Sequence, residues 1–500
     1  MLLRPFSFIR WATWLLDKLQ KVNPSHLALA PIHLGQAIMG AFDFDVAVIG
    51  GGSAGYATAR TTAAAGQRTV VIEAGEELGG LCILRGCMPT KALLHAADVR
   101  HQARRSKLWG LEPGEGGFDF PAVMRRKAAM VEEFASYRRS QLQDGRFELI
   151  RALARFRDPH TLELDNGQTV TAGHIMISTG SRVADLPMPG LAKLGCMSSD
   201  DALRLESLPQ SIIVLGGGAV AVEFAQFFAR FDVRVTLLQR SPHILKACDD
   251  DVAGEVEAAF RAEGITVHTG CSLIDARQDG NEKLIVYEHD GGQHEVRAEA
   301  VFHGLGRSPN TDSLALENAG VETKHGRIIC DAHMRTSTPH IFAGGDCTGP
   351  HEIVHLAVQQ GEIAAHNILY PAKPQPMDYR MLISVVFTDP QAATVGLTEK
   401  QAKAQGIPCL TASYPFNDHG KSIIMDAMHG FVKLLCDPES GEILGGACVG
   451  PMGGELIHEI VTAMAKRMAV AELAAVPHYH PTLAEIWTYP ADDLAEEIAR

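Results

Sequence analysis

The sequence predicts an α/β fold class, and three observations carry the prediction. Twice along the chain an apolar strand runs into a Gly-x-Gly-x-x-Gly or Gly-x-Gly-x-x-Ala turn, then a helix and a second strand. The composition agrees, because 48 glycines, 46% hydrophobic residues and 6% aromatics suit a soluble chain with many strand-to-helix turns. And 500 residues are too many for one core, so about three domains are expected.

The first unit starts with a strand over 46–49 and continues through Gly50, Gly52 and Gly55 to a second strand over 69–72 that ends at Glu73. The first two glycines let the chain turn and let backbone amides approach a pyrophosphate. The third lets helix and strand pack closely, and the terminal acid is placed to accept hydrogen bonds from a ribose. A bare glycine pattern is often only a turn; strand, helix and Glu73 together make this a Rossmann-like dinucleotide-binding unit. The second unit has a strand over 212–215, then Gly216, Gly218 and Ala221, a helix through Phe228 and a strand over 233–238. Two units imply two dinucleotides. The second strand here ends without an acid, in Gln239 and Arg240, with Lys246 six positions on. A carboxylate there would bind a 2′-hydroxyl and repel a 2′-phosphate; two cations in its place make a phosphate-tolerant pocket, unless they are ordinary solvated charges.

Directly after the first unit come Cys82 and Cys87. Alone, such a pair is equally two packed thiols or half of a metal site. Following a dinucleotide unit, it suggests a redox-active pair working against a bound flavin. Pro89 suits the first turn of a helix, so Cys87 sits where a positive helix end lowers a thiol pKa. Thiol–disulfide exchange also needs a proton acceptor, because the thiolate attacks. The segment from His480 to Glu485 offers a histidine near an acid.

Composition narrows the partners. A net charge of −14 argues against nucleic acid, since nothing supplies a broad phosphate-binding surface. Ten cysteines without regular spacing do not form a secreted disulfide framework, and a cytoplasmic location follows. Residues 1–42 stand apart as an N-terminal amphipathic extension. Phe6, Phe8, Ile9, Trp11, Trp14, Leu15, Leu16 and Leu19 interleave with Arg4, Arg10, Lys18 and Lys21. Three readings stay open: an extra packed helix or flexible tail, a helix lying on a membrane surface, or an organelle-targeting peptide. The apolar run is too broken to span a membrane.

The stretch from Gly79 to Lys91, with both cysteines and Pro89-Thr90-Lys91, resembles the redox-disulfide motif of the pyridine nucleotide-disulfide oxidoreductases, whose members include lipoamide dehydrogenase, mercuric reductase and glutathione reductase. Matches run from about Asp43 to the end of the chain. The resemblance implies FAD at the first unit and NADPH or NADH at the second. It assigns Cys82 to exchange with substrate and Cys87 to contact the flavin. It pairs Lys91 with Glu223, binds the ribityl chain at Asp346, and places Thr179, Gly180 and Gly306 where the chain crosses between domains. It makes His480 the base, oriented by Glu485, and brings both to the cysteine pair of the other subunit of a homodimer. Leu81, Leu84 and Arg85 depart from the usual motif, which bears on redox potential and substrate.

The implied domains are an FAD-binding domain of residues 43–185 and 309–372, an NAD(P)-binding domain of 186–308, and a C-terminal α+β dimerisation domain of 373–500. No metal ligands are assigned. The leading function is exchange of electrons between NAD(P)(H) and a small-molecule or protein-bound dithiol or disulfide, as in lipoamide dehydrogenase, whose usual nicotinamide acid is missing here. The alternatives are an NADPH-dependent reductase of another disulfide or electrophile, resembling mercuric reductase without a C-terminal cysteine pair, and a non-catalytic flavoprotein subunit.

Overall fold

Hydrophobic strands buried on both faces dictate the first layer. The computed structural model describes residues 41–112 and 117–500; the N-terminal extension proposed over 1–42 lies, but for its last two residues, outside the described residues. Strand β1 (Phe44–Ile49) leads into helix α1 (Ser53–Ala64) and returns as β2 (Thr69–Ile72). The short helix α2 (Gly80–Leu84), then α3 (Cys87–Arg104) and α4 (Phe120–Leu142), precede β3 (Glu148–Ile150). A meander of β4 (Ala154–Asp158), β5 (Thr161–Leu164) and the long β6 (Thr169–Ile177) follows. The sheet order is β3-β2-β1-β6-β5-β4, parallel from β3 to β6 and antiparallel among β4, β5 and the start of β6. In β1, Val46 and Val48 pack on one face and Ala47 and Ile49 on the other, all buried, as a parallel sheet covered on both sides requires.

After β7 (Ser181–Val183) the chain builds a second sheet from β8 (Ser211–Leu215), α5 (Ala219–Arg230), β9 (Arg234–Leu238), α6 (Asp250–Ala262) and β10 (Thr266–His268). An antiparallel meander of β11 (Ser272–Asp279), β12 (Glu282–His289) and β13 (Gly292–Ala298) comes before β14 (Ala300–His303), and the parallel order is β10-β9-β8-β14. The chain then returns through β15 (Arg307–Pro309), which pairs antiparallel with β7, so the outward and return crossings lie side by side. A hairpin of β16 (Thr323–Lys324) and β17 (Arg327–Ile328) follows. Strand β18 (Ile341–Ala343) then joins the first sheet beside β6, and α7 (Val354–Leu369) packs on α1. The two helices meet at Gly361, where an added Cβ would stand 2.2 Å from the carbonyl oxygen of Ala54.

The C-terminal layer is a five-stranded antiparallel sheet. It comprises β19 (Ile383–Val386), β20 (Gln391–Gly396), β21 (Leu410–Pro415), β22 (Phe431–Cys436) and β23 (Ile443–Gly450), in the order β19-β20-β23-β22-β21. Helices α8 (Gly453–Ala465) and α9 (Thr488–Ala499) cover it, with Trp487 fully buried between them and hydrogen-bonded through Nε1 to the Leu456 carbonyl. This is the α/β architecture with the two Rossmann-like layers that the glycine turns predict and the C-terminal α+β domain that the resemblance implies. Boundaries shift slightly: the first strand begins two residues earlier, the helix after Gly218 runs on to Arg230, and the strand after it starts at Arg234.

Candidate functional site

Both glycine turns behave as their spacing predicts. Gly50 and Gly216 have φ of +98° and +108°, conformations that L side chains rarely adopt. A Cβ on Gly55 would lie 1.9 Å from the Gly50 carbonyl oxygen, so this position needs glycine for packing alone. In the second turn Ala221 is accommodated because its neighbour across the turn is Gly304, where a Cβ would meet the Ala221 methyl at 2.8 Å. The middle glycines differ: a Cβ on Gly52 or Gly218 meets no protein atom within 4 Å. These two glycines cap α1 and α5, and neither helix has a side-chain cap. Two uncapped helix N-termini opening onto free space suit the phosphates of two dinucleotides.

Both turns open onto the same space. One cavity of about 440 Å³ is lined by Gly52, Cys82, Cys87, Lys91, Gly218 and Asp346, among others, and so joins both glycine turns to both cysteines. Gly180, Glu223 and Gly306 line it too. A second, of about 480 Å³, shares Gly52 and Gly180 with the first and adds Gly50, Glu73 and Thr179. Glu73 leaves the end of β2 and accepts from the Gly51 amide at 2.7 Å and the Gly75 amide at 2.6 Å, which fixes its carboxylate at the mouth of the first turn. Asp346 accepts from Ser181 Oγ at 2.6 Å, a partner the sequence did not reveal. The residues therefore fit FAD in the first turn and a nicotinamide dinucleotide in the second.

Cys82 lies in α2, and Cys87 is the first residue of α3. The Cys82 thiol hydrogen-bonds to the Cys87 sulfur, and this bond is the main reason the Cys87 pKa falls to about 7. Burial opposes the shift, and the charge of Lys91 assists it. The same bond, together with burial, holds the Cys82 thiol well above its ordinary range. The pair thus keeps one proton on Cys82 and leaves Cys87 as the thiolate. The sequence reading placed the cause at the helix end; the shared proton and Lys91 are the larger effects. Lys91 Nζ donates to both oxygens of buried Glu223, at 2.8 and 3.0 Å, and stands 4.7 Å over the Phe387 ring. The expected Lys91–Glu223 pair is therefore formed. Arg85 points to Asp200 at 3.6 Å along the cavity wall.

Arg240 and Lys246 are exposed, and among the described residues neither has an acidic partner. Gln239 folds against the second turn, its Cδ 2.9 Å from where a Gly217 Cβ would be.

His480 and Glu485 are held together but away from the cysteines. His480 Nδ1 lies 3.0 and 3.2 Å from the two oxygens of Glu485. The His480 side chain is 77% exposed and that of Glu485 10%. Neither lines the cavity containing Cys82 and Cys87. A larger hollow of about 710 Å³ holds no residue singled out from the sequence. His101, Glu263 and Asp389 converge there, but the Arg230 guanidinium already pairs with Glu263 at 2.6 Å and Asp389 at 2.8 Å.

Comparison with known proteins gives concordant results. Residues 44–361 match the model of the pyridine nucleotide-disulphide oxidoreductase family, and 382–491 match that family's dimerisation domain. The dihydrolipoyl dehydrogenase of Geobacillus stearothermophilus is 34% identical over 450 residues, covering 89% of this chain and 95% of its own. The mercuric reductase of Streptomyces lividans is 33% identical over 464 residues, covering 91% and 97%. Among solved structures, the HOCl-induced flavoprotein disulfide reductase RclA from Escherichia coli superposes with a TM-score of 0.79 at 26% identity, covering 90% of this chain and 99% of its own.

Proposed function

Because the chain belongs to the pyridine nucleotide-disulphide oxidoreductases and is an FAD-containing, NAD(P)-dependent disulfide oxidoreductase, we propose that Cys82 and Cys87 are its redox pair and that His480, oriented by Glu485, is its base. The observation that carries this reading is the single cavity lined by Gly52, Gly218, Cys82 and Cys87, which brings both dinucleotide turns and both sulfurs to one space. In the direction of dithiol oxidation, a substrate thiol gives its proton to His480 and its sulfur attacks Cys82. The Cys82–Cys87 disulfide breaks, and Cys87 leaves as the thiolate that Lys91 stabilises. The second substrate sulfur then displaces Cys82, so the substrate leaves as a disulfide and the enzyme holds two electrons on its pair. Bound FAD supplies the two-electron link from Cys87 to NAD(P)⁺.

His480 is exposed and lies outside the cysteine cavity, which supports its working on the pair of the other subunit of a homodimer, and the family's dimerisation domain fits such a dimer. We assign 43–185 and 309–372 to FAD, 186–308 to NAD(P) and 373–500 to dimerisation, with the β7/β15 crossing as the hinge point between the first two. A lipoamide-type dithiol is the favoured substrate. Ten cysteines in 500 residues without the regular spacing of a secreted disulfide framework support a cytoplasmic location. Among the described residues no helix is long and apolar enough to cross a membrane.

The lack of an acid at Gln239, and Arg240 and Lys246 without an acidic partner among the described residues, favour a second reading, an NADPH-driven reductase of another disulfide or electrophile. Steady-state oxidation of dihydrolipoamide with NAD⁺ and NADP⁺ side by side separates the two. Rapid turnover with either nucleotide supports the first; negligible turnover with both, while NADPH still bleaches the flavin, supports the second.

A further inference from the structure

Buried and remote in sequence, a second histidine faces the carboxylate of the proposed base pair. His419 lies between the turn Phe416–Asp418 and the short helix Gly420–Ile424, fully excluded from solvent. Its Nε2 stands 3.4 Å from Glu485 Oε1 and has no closer acceptor, while its Nδ1 is 2.8 Å from Ser422 Oγ, also fully buried. The rings of Phe416 and Tyr489 wall it in, each with its centroid 6.4 Å from the imidazole and nearly perpendicular to it. Beyond Tyr489 lies Tyr414, stacked on it at 4.0 Å and hydrogen-bonded to Asp418. His480, Glu485 and Ser422 are therefore the polar groups that face His419 directly.

The chemistry of these atoms fixes the proton positions. An imidazole nitrogen aimed at a carboxylate must carry hydrogen, so His419 is the Nε2–H tautomer and its Nδ1 accepts from the Ser422 hydroxyl. Burial holds its pKa down, so it stays neutral, although Glu485 pulls the other way. Glu485 is nearly buried, and a buried carboxylate is costly unless donors surround it. Among the described residues the His480 side chain alone is hydrogen-bonded to its carboxylate, and the buried His419 Nε2, which has no hydrogen-bond partner, faces it from the other side at 3.4 Å.

We infer that His419 is a positioning residue for the redox reaction: with Ser422 it anchors Glu485, which in turn aims His480 Nε2 at the reacting sulfur. This inference rests on the His480–Glu485 reading of the base. Sharing Glu485 between two donors also spreads its charge. Without His419 the carboxylate acts on His480 alone and makes it a stronger base.

The test is His419→Leu beside His419→Gln in the FAD-loaded homodimer. The Leu variant oxidises the dithiol slower by on the order of tenfold, because a misaimed base is costly. The acid limb of its pH–rate profile moves to higher pH, and reduction of an artificial dye by NAD(P)H is unchanged. Gln, which keeps an N–H toward Glu485, restores both rate and limb. If the Leu variant does not fold, Ser422→Ala carries the test, with the same limb shift in smaller measure. The pH midpoint of diethylpyrocarbonate modification of His480, read by peptide mass spectrometry, needs no substrate. It moves up in the Leu variant even if the wild type proves to act on another electrophile. A Leu variant with wild-type rate, limb and modification midpoint overturns the inference, as does a Gln variant no better than Leu.

Discussion

Cys87 shows how much of the chemistry rests on single side chains. Its thiolate depends first on the proton that Cys82 holds and then on the cation of Lys91, so its titration is a direct reading of both. In the reduced enzyme, thiolate absorbance near 240 nm is expected to rise through a midpoint at about pH 7. Below that pH both sulfurs are protonated; above it one proton is lost and Cys87 is the thiolate. Lys91→Met removes a favourable charge, so the midpoint is expected to move up by about one unit, leaving less thiolate at neutral pH. An unmoved midpoint would mean that the lysine serves only Glu223. The nicotinamide site offers a second test at this scale. Arg240→Glu places a carboxylate beside the site of a 2′-phosphate, and the ratio of kcat/KM for NADPH to that for NADH is expected to fall by at least about tenfold, equal to ~1.4 kcal/mol of selectivity. An unchanged ratio would leave Arg240 as a solvated surface charge.

Elements explain why neighbouring glycines do unlike work. Gly55 joins α1 to β1 with no room for a methyl group, whereas Gly52, three residues earlier on the same turn, faces only the cavity. Gly55→Ala is therefore expected to cost ~1–3 kcal/mol of stability through forced separation of helix and strand. Gly52→Ala is expected to leave the thermal midpoint of the FAD-free protein unchanged while lowering the FAD content of the purified protein. Equal FAD content in Gly52→Ala and wild type would show that the turn does not approach the cofactor. At this scale the sequence was most legible. Local spacing specifies Gly50, Gly52, Gly55 and Glu73, because strand, turn and helix are contiguous and each needs a particular residue. The Lys91–Glu223 pair, 132 positions apart, was found only through resemblance, yet it forms. What escaped detection were contacts made by ordinary residues from distant segments. Ser181 on Asp346, Phe387 under Lys91 and His419 on Glu485 carry no local pattern, and only folding brings them together.

The whole molecule divides its chemistry between two places that one chain does not join. The cavity at the centre holds the dinucleotide turns and the cysteine pair. The C-terminal layer holds His480 and Glu485 on a surface outside that cavity. Local spacing shows a histidine near an acid in that last motif, but its target came only through the resemblance, because on the proposed reading the target belongs to a second copy. A closed two-fold dimer presents the same patch of each chain to the other, so one arrangement completes both sites. Co-expression of a Cys82→Ser chain and a His480→Gln chain, each with its own tag, tests this central claim most directly. Each variant alone is expected to be nearly inactive in dithiol oxidation. In the mixed dimer one site receives intact cysteines from one chain and an intact histidine from the other, so a statistical mixture is expected to regain about a quarter of wild-type activity. Purified mixed dimers that remain as inactive as the parents would contradict the account, placing the base and the sulfurs in the same chain or the proton elsewhere.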